Sequence, residues 1–350
     1  MTVTTIDLRK PAHPPPGRRV TAMLAVLGIA LAACSTSPGT NAPTNRTDFV
    51  PAYDPNGQKS SFLGGQRYAT TDQVLAAVAA AQQTEVLSDA AATHLVELSR
   101  PHTDGPEECF DERKTSVTTT DTQLGECAYG DPKGTKQMAL FGDSRAPMWA
   151  ATLERVAAIT GWQLRVFARG GCPPGDAQYQ NNITHAPDPQ CDTFHKAAVD
   201  EILKLHPQLV VTTSNFHDLA NGDTPSSAQW RDALVSTLQT LGQPGTRVAI
   251  LGGIPHWENN DERCVAAHTR DIQACSTERE NAISPFDGAE REAASAVGGQ
   301  YVDPVPWVCA EKCEPVVSDI VLYYDPHHFT KKYADYLSGA MAEALKPSMT

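Results

Sequence analysis

Beyond its first 33 residues the chain has no apolar run of the ~20 residues that a membrane-crossing helix needs. It also lacks a P-loop, a Gly-x-Gly-x-x-Gly turn and any Cys-x-x-Cys. No nucleotide, dinucleotide or zinc site of the usual spacing is therefore readable, and no cofactor is expected. Positive charge is scarce: 28 Lys and Arg stand against 41 Asp and Glu, a net charge of −13. A surface of that sign argues against nucleic acid and phosphate-rich surfaces as partners. It suits a neutral glycan. No internal repeat is visible.

What is present begins with an export signal. Arg18 and Arg19 precede residues 20–33, an apolar run of 14 broken only by Thr21 and Gly28. That is too short to span a bilayer and right for a signal-peptide core. The run ends Leu31-Ala32-Ala33-Cys34, which resembles the bacterial lipobox. The resemblance implies cleavage before Cys34 and a diacylglycerol on its sulfur; plain secretion with cleavage after Ala33 is the alternative. Loss of residues 1–33 removes four basic residues and one acid, leaving 24 against 40 and a net charge of −16.

Cysteine usage agrees with export. Cys34 aside, eight remain: Cys109, Cys127, Cys172, Cys191, Cys264, Cys275, Cys309 and Cys313. An even number in an exported chain reads as disulfides. They fall along the sequence as four close couples. Pairs 109–127, 172–191, 264–275 and 309–313 are expected, among the many connectivities that eight cysteines allow. His268, between Cys264 and Cys275, reads as a loop histidine rather than a metal ligand.

Texture divides the chain. Residues 35–60, rich in Ser, Thr, Pro, Gly and Asn, read as a flexible linker that holds the domain off a membrane. Residues 61–135 form an N-terminal extension, with two helical stretches over 71–100 and Thr71-Asp72 capping the first. From 136 to 346 strands and helices alternate. Strands are expected at 137–141, 163–168, 209–213, 247–251 and 300–302. Helices are expected at 146–159, 192–205, 226–241, 278–297 and 330–345. This alternation predicts an α/β fold of three layers, a central parallel sheet with helices on both faces. In such sheets the site lies past the carboxyl ends of the strands, near the switch in strand order.

Gly142-Asp143-Ser144 stands at that place, just after the first strand. A serine at a strand–helix junction is often only a cap. As a nucleophile it needs a base in hydrogen-bond reach and a group that orients the base. Asp325-Pro326-His327-His328, before the last helix, offers both. A turn of three residues lets Asp325 meet Nδ1 of His328 and leaves Nε2 free for Ser144. His327 does not fit that spacing.

Together these segments resemble the SGNH (GDSL-like) hydrolases, and more closely the SGNH domain attached to membrane acyltransferases of the acyltransferase-3 type. The likeness rests on Cys127-Ala-Tyr-Gly-Asp-Pro, Gly142-Asp-Ser-Arg-Ala146, Arg169-Gly-Gly-Cys-Pro-Pro174 and Asp325-Pro-His-His-Phe-Thr330, over about residues 107–346. It implies Ser144 as nucleophile, His328 as base and then acid, and Asp325 as its orienter. It implies an oxyanion hole from the N–H groups of Ser144 and Gly171, with Asn215 as third donor. The implied activity is acyl transfer, acetyl above all, onto cell-envelope polysaccharide by an anchored lipoprotein on the outer face of the membrane. A separate membrane acyltransferase would supply the acyl group.

Two departures stand out. Arg145 occupies the place of the family's usual histidine, and a second histidine, His327, adjoins the base. A relaxed α/β-hydrolase elbow at Gly142-x-Ser144-x-Ala146 is a rival. There the acid and histidine come from separate loops, whereas here they share one. Two other functions stay open: a carbohydrate esterase, and a non-catalytic glycan-binding lipoprotein with sugar platforms on Trp149, Trp162, Trp230, Trp257 or Trp307. Lys136, Asp143 and Trp149 otherwise read as surface, cap and core.

Overall fold

Val, Ile, Leu and Phe are concentrated in short runs, and these form the strands of one sheet. In the computed structural model the strands are β1 (Ala128–Gly130), β2 (Lys136–Gly142), β3 (Trp162–Ala168), β4 (Leu209–Thr213), β5 (Arg247–Leu251) and β6 (Gln300–Val302). Their order is β1-β3-β2-β4-β5-β6. All neighbours run parallel except β1, which lies antiparallel on β3. The structure describes residues 61–63, 66–98, 124 and 128–350. The expected signal peptide, Cys34 with its expected lipid, the expected linker and the expected Cys109–Cys127 pair lie outside them. The described residues all fall in the unit Thr47–Thr350.

Side chains alternate across the sheet, as the pleat requires. Met138 and Leu140 of β2 face one core, with Trp149, Leu153 and Val156 of α3 (Arg145–Thr160). Ala139 and Phe141 face the other, with Phe194 and Ala198 of α4 (Pro189–Leu205) and Trp230 and Leu234 of α5 (Ser227–Leu241). The expected three-layer α/β/α architecture is thus observed. Of the N-terminal extension, α1 (Thr71–Ala81) buries Val74 and Val78 in the first core, and α2 (Asp89–Leu98) follows.

Three local expectations need correction. The cap of α1 is Thr70, not Thr71-Asp72: Thr70 is extended and forms a reciprocal capping box with Gln73. The helix expected over 278–297 is two, Arg279–Ala282 and α6 (Asp287–Ala296). The first ends at Ile283, which is extended at φ −79° and ψ 135°, and Pro285 beyond it has no N–H with which to continue the helix. The closing helix is also divided, into α7 (Lys331–Tyr336) and α8 (Ser338–Met349). Gly339 lets the Ala69 carbonyl approach so closely that a Cβ would lie 2.4 Å from its oxygen.

The three disulfides within the described residues are those expected: Cys172–Cys191, Cys264–Cys275 and Cys309–Cys313. Four of the five tryptophans are core residues and not sugar platforms. Trp149, Trp162, Trp230 and Trp307 are buried, and Trp257 is half-buried with its Nε1–H donating to the Cys275 carbonyl at 2.7 Å.

Candidate active site

Strand order reverses at β2, whose neighbours β3 and β4 are built by connections that leave in opposite directions. The crevice at such a switch lies beyond the strand's carboxyl end. Ser144 stands there, two residues past Gly142. It occupies the N-cap position of α3 yet has helical φ and ψ of −61° and −18°, and its side chain caps nothing. Its Oγ lies 2.8 Å from His328 Nε2 instead.

His328 comes from a short hairpin, β7 (Tyr323–Asp325) and β8 (His328–Phe329). Asp325 Oδ1 accepts the N–H groups of His327 and His328 at 2.7 and 2.9 Å. Its Oδ2 accepts His328 Nδ1–H at 2.8 Å. Burial raises the Asp325 carboxyl, but the hydrogen bond and charge of His328 and the His327 N–H outweigh it and hold it below its ordinary value. With Nδ1–H committed to the carboxylate, Nε2 is the acceptor that faces Ser144. The Tyr324 ring stacks on His328 at 5.5 Å and 15°. Behind the hairpin, Phe329 packs edge-on to Trp149 at 5.5 Å, and its N–H donates to Met148 Sδ at 3.1 Å. Ser144, His328 and Asp325 are therefore brought together as the spacing predicted. His327 is not joined to Ser144; its ring lies against His256, 5.4 Å away.

Gly171 lies across the crevice. Residues 169–172 form a turn closed by Cys172 N–H to Arg169 O at 3.0 Å, with Gly171 at φ +71°. A positive φ at the third position is the type II arrangement, which favours glycine. The turn is held from behind by the Cys172–Cys191 disulfide and by an ion pair of Arg169 with Asp188 at 3.0 Å. Among the described residues no protein acceptor takes the N–H of Ser144 or of Gly171. Asn215 follows β4, and its N–H donates to Asp143 Oδ2 at 2.9 Å.

Asp143 is more than a cap. It is fully buried and also accepts the Arg145 N–H at 2.8 Å and His217 Nε2–H at 2.9 Å. Burial raises its carboxyl; the His217 and Arg145 contacts prevail and hold it below its ordinary value. Sequence reasoning missed His217, although Ser214-Asn215-Phe216-His217-Asp218 is a dense polar run directly after a buried strand.

Arg145 also turns inward. It is 1% exposed, and its Nη1 donates to the Ile254 carbonyl at 3.4 Å. Burial pulls the guanidinium below its ordinary value, while Asp143, Tyr323, Glu290 and Asp287 act in the opposite sense. Burial, then the Arg145 charge, lowers His256 to about 4 and also lowers His327. The His256 ring is therefore uncharged at neutral pH. Burial raises Asp287 to about 7 and Glu290 to about 8, and each carboxyl lies near another acid. Among the described residues no cluster of His, Cys, Asp and Glu is arranged to hold a metal.

A family model for the SGNH domain found fused to AT3 domains matches residues 108–343. Among solved structures, the chain is similar to the lipopolysaccharide acetyltransferase periplasmic domain of Salmonella ser. Paratyphi A. Identity is 17% and the TM-score 0.47, over 62% of this chain and 84% of that one. It is also similar to a GDSL-like lipase from Bacteroides thetaiotaomicron VPI-5482, at 15% identity and a TM-score of 0.39, over 61% and 89%. A carbohydrate acetylesterase family member from Sinorhizobium meliloti aligns at 11% identity and a TM-score of 0.33, over 61% and 98%. No curated protein sequence matches the chain.

Proposed function

Because the chain belongs to the SGNH domains fused to AT3 domains, and is thus a serine acyltransferase or hydrolase, we propose that it is an exported, lipid-anchored O-acyltransferase. Its acceptor is cell-envelope polysaccharide and its acyl group is acetyl. The observation that supports this reading is the unbroken run of contacts Asp325–His328–Ser144 at 2.8 Å each.

The chemistry follows from those atoms. His328 Nε2 takes the proton from Ser144 Oγ as the oxygen attacks the acyl carbonyl. The carbonyl oxygen becomes an oxyanion, received by the Ser144 and Gly171 N–H groups and by Asn215. Donors fixed in advance toward that charge need no reorganisation. The tetrahedral intermediate collapses, the leaving oxygen takes the proton from Nε2, and the acyl group remains on Ser144. A sugar hydroxyl then attacks the acyl-serine and gives its proton to Nε2; the second tetrahedral intermediate expels Ser144 Oγ, which takes that proton back, and the sugar leaves as the ester. Asp325 keeps Nδ1 protonated throughout. The lipid on Cys34 keeps the domain at the outer face of the cell membrane, where a separate membrane protein delivers the acyl group.

A fluorophosphonate probe should label the wild-type chain and not Ser144→Ala. Acetyl transfer to an oligosaccharide acceptor should then be measurable with an activated acetyl donor. If the labelled protein removes acetyl groups from glycan readily and never acylates an acceptor, the transferase reading fails and the esterase stands. Cys34→Ala should move the protein from the membrane pellet to the soluble fraction; an unchanged distribution would refute the lipid anchor.

A further inference from the structure

The turn that carries Asp325 and His328 is gripped from outside by a side-chain amide. After β5 the chain passes along the hairpin of β7 and β8. Asp261 pairs with Tyr323 in a parallel bridge, and the Tyr323 hydroxyl donates to the Pro255 carbonyl. The Trp257 ring meets Tyr323 edge-on at 5.6 Å. The segment is itself braced. Asp261 Oδ1 caps the helix Glu262–Ala267 by accepting the N–H groups of Arg263 and Cys264 at 3.2 and 3.3 Å, and Cys264 is tied to Cys275.

Asn260 is fully buried in this segment, and its Nδ2–H donates to the Pro326 carbonyl at 3.1 Å. A backbone carbonyl accepts at any pH, so an amide turned over would set oxygen against oxygen; the orientation is fixed. Asn260 Oδ1 has no protein partner among the described residues. A buried amide with one end unsatisfied weighs against folding, so packing does not account for it. The Pro326 carbonyl shares one planar trans peptide with the His327 N–H, which Asp325 Oδ1 accepts at 2.7 Å. That peptide is therefore held at both edges, its oxygen by Asn260 and its hydrogen by Asp325. Fixing the carbonyl fixes the direction of the N–H, and with it the carboxylate that takes His328 Nδ1–H at 2.8 Å. Hydrogen bonds in line through one amide also strengthen one another, which makes the His327 N–H a better donor to Asp325.

We infer that Asn260 is a positioning residue for the base: through the Pro326–His327 peptide it aims the Asp325–His328 pair at Ser144. The hydrogen bonds run from Asn260 Nδ2 to Pro326 O, from His327 N–H to Asp325, from Asp325 to His328 and from His328 to Ser144 Oγ, at 3.1, 2.7, 2.8 and 2.8 Å. The inference rests on the acyl-serine reading above. It holds for transferase and esterase alike, since both use the same base.

Asn260→Ala removes the donor. Asn260→Asp makes it depend on pH, because a carboxyl gives an O–H to the Pro326 carbonyl only while protonated, and burial raises its pKa. Hydrolysis of p-nitrophenyl acetate by the full chain is followed from acid to neutral pH for wild type and both variants, with thermal unfolding alongside. Proton NMR reads the low-field resonance of His328 Nδ1–H on Asp325. We expect kcat of Asn260→Ala to fall by about 10²-fold, the order that a displacement of ~1 Å costs, with KM within about threefold. The low-field resonance should persist, because the Asp325–His328 contact is local to the turn. Taken relative to wild type at each pH, the Asn260→Asp deficit should grow as pH rises while that of Asn260→Ala stays level. An Asn260→Ala variant within about threefold of wild-type kcat would overturn the inference. So would an Asn260→Asp deficit that does not grow with pH, a comparison that stands even where Asn260→Ala does not fold. A wild-type chain that fluorophosphonate never labels at Ser144 refutes the acyl-serine reading, and this inference with it. A labelled wild type beside a fully active Asn260→Ala refutes the inference alone.

Discussion

Asp325→Asn tests the proposed mechanism at one pair of atoms. The substitution keeps one side-chain oxygen and exchanges the other, Oδ2, for an NH2 group. In the wild type Oδ1 takes the two backbone N–H groups of the turn and Oδ2 takes His328 Nδ1–H. Asparagine keeps the first pair with its own oxygen, so the turn survives. Its NH2 then faces Nδ1, where a donor meets a donor. The ring resolves the conflict by moving its proton to Nε2, and Nδ1 becomes the acceptor. Nε2–H now points at Ser144 Oγ, 2.8 Å away, and the base is gone. A tautomer error of this kind costs ~10⁴ in kcat in the serine-protease template. Here we expect ~10³–10⁴-fold, or ~4–5.5 kcal/mol of barrier. KM should move little, and Tm should fall by no more than a lost charged hydrogen bond, ~1.5–3 kcal/mol in stability. The Asp325 carboxyl is held below its ordinary value, so its contribution to stability is present at neutral pH and disappears as pH falls through the folded pKa. The variant should lack that acid-side loss. The assay is steady-state ester hydrolysis together with the rate of fluorophosphonate labelling. An Asp325→Asn protein that hydrolyses and labels within about tenfold of wild type, an effect under ~1.4 kcal/mol, would refute this account of His328.

Three further outcomes follow from the packing and charge. Glu290 is pushed up to about 8, so the native state keeps a proton that the unfolded chain has already lost. Stability from this group is full below the ordinary carboxylate pKa and falls as pH rises toward 8; Glu290→Gln should flatten that slope, measured as Tm from acid pH up to about 8 against wild type. Trp149→Ala removes a fully buried side chain and should cost ~3–5 kcal/mol by denaturant unfolding, with activity lost as well. Replacing Cys172 and Cys191 together by Ala opens a link across 19 residues and should cost ~3 kcal/mol. Activity should fall further than in the matching Cys264 and Cys275 variant, because only the first bridge holds the Gly171 turn; equal losses would contradict this.

The sequence made some of this legible and hid the rest for physical reasons. The sheet was readable because its central strands are short, largely apolar runs bounded by polar turns, the pattern of strands buried on both faces. Asp325 and His328 were readable because their contact is local and the spacing alone limits its geometry. Asp143, His217 and Asn260 were not. Their contacts span 74 and 66 residues, and no periodicity marks a contact of that kind. Arg145 stood out as a substitution, but its burial beneath the nucleophile has no signature in sequence. Pro285 was a visible break signal inside 278–297, masked there by the helix-favouring Glu and Ala around it. The tryptophans misled in the opposite sense: as large apolar rings they belong in a core at least as readily as on a sugar-binding face.

The short Asp325–His328 hairpin has a consequence for alignment. Acid and base are three residues apart and share one turn, so they move as a single rigid piece. The proposed catalytic arrangement therefore has two parts rather than three, and the tertiary structure must hold only one spacing to tolerance, that between the hairpin and the first turn of α3. That seam is made by Phe329, through its N–H on Met148 Sδ and its ring on Trp149. A displacement of the hairpin by a fraction of an ångström would leave Asp325 and His328 in register with each other and out of reach of Ser144. The enzyme's on and off geometries would then differ by one sliding contact.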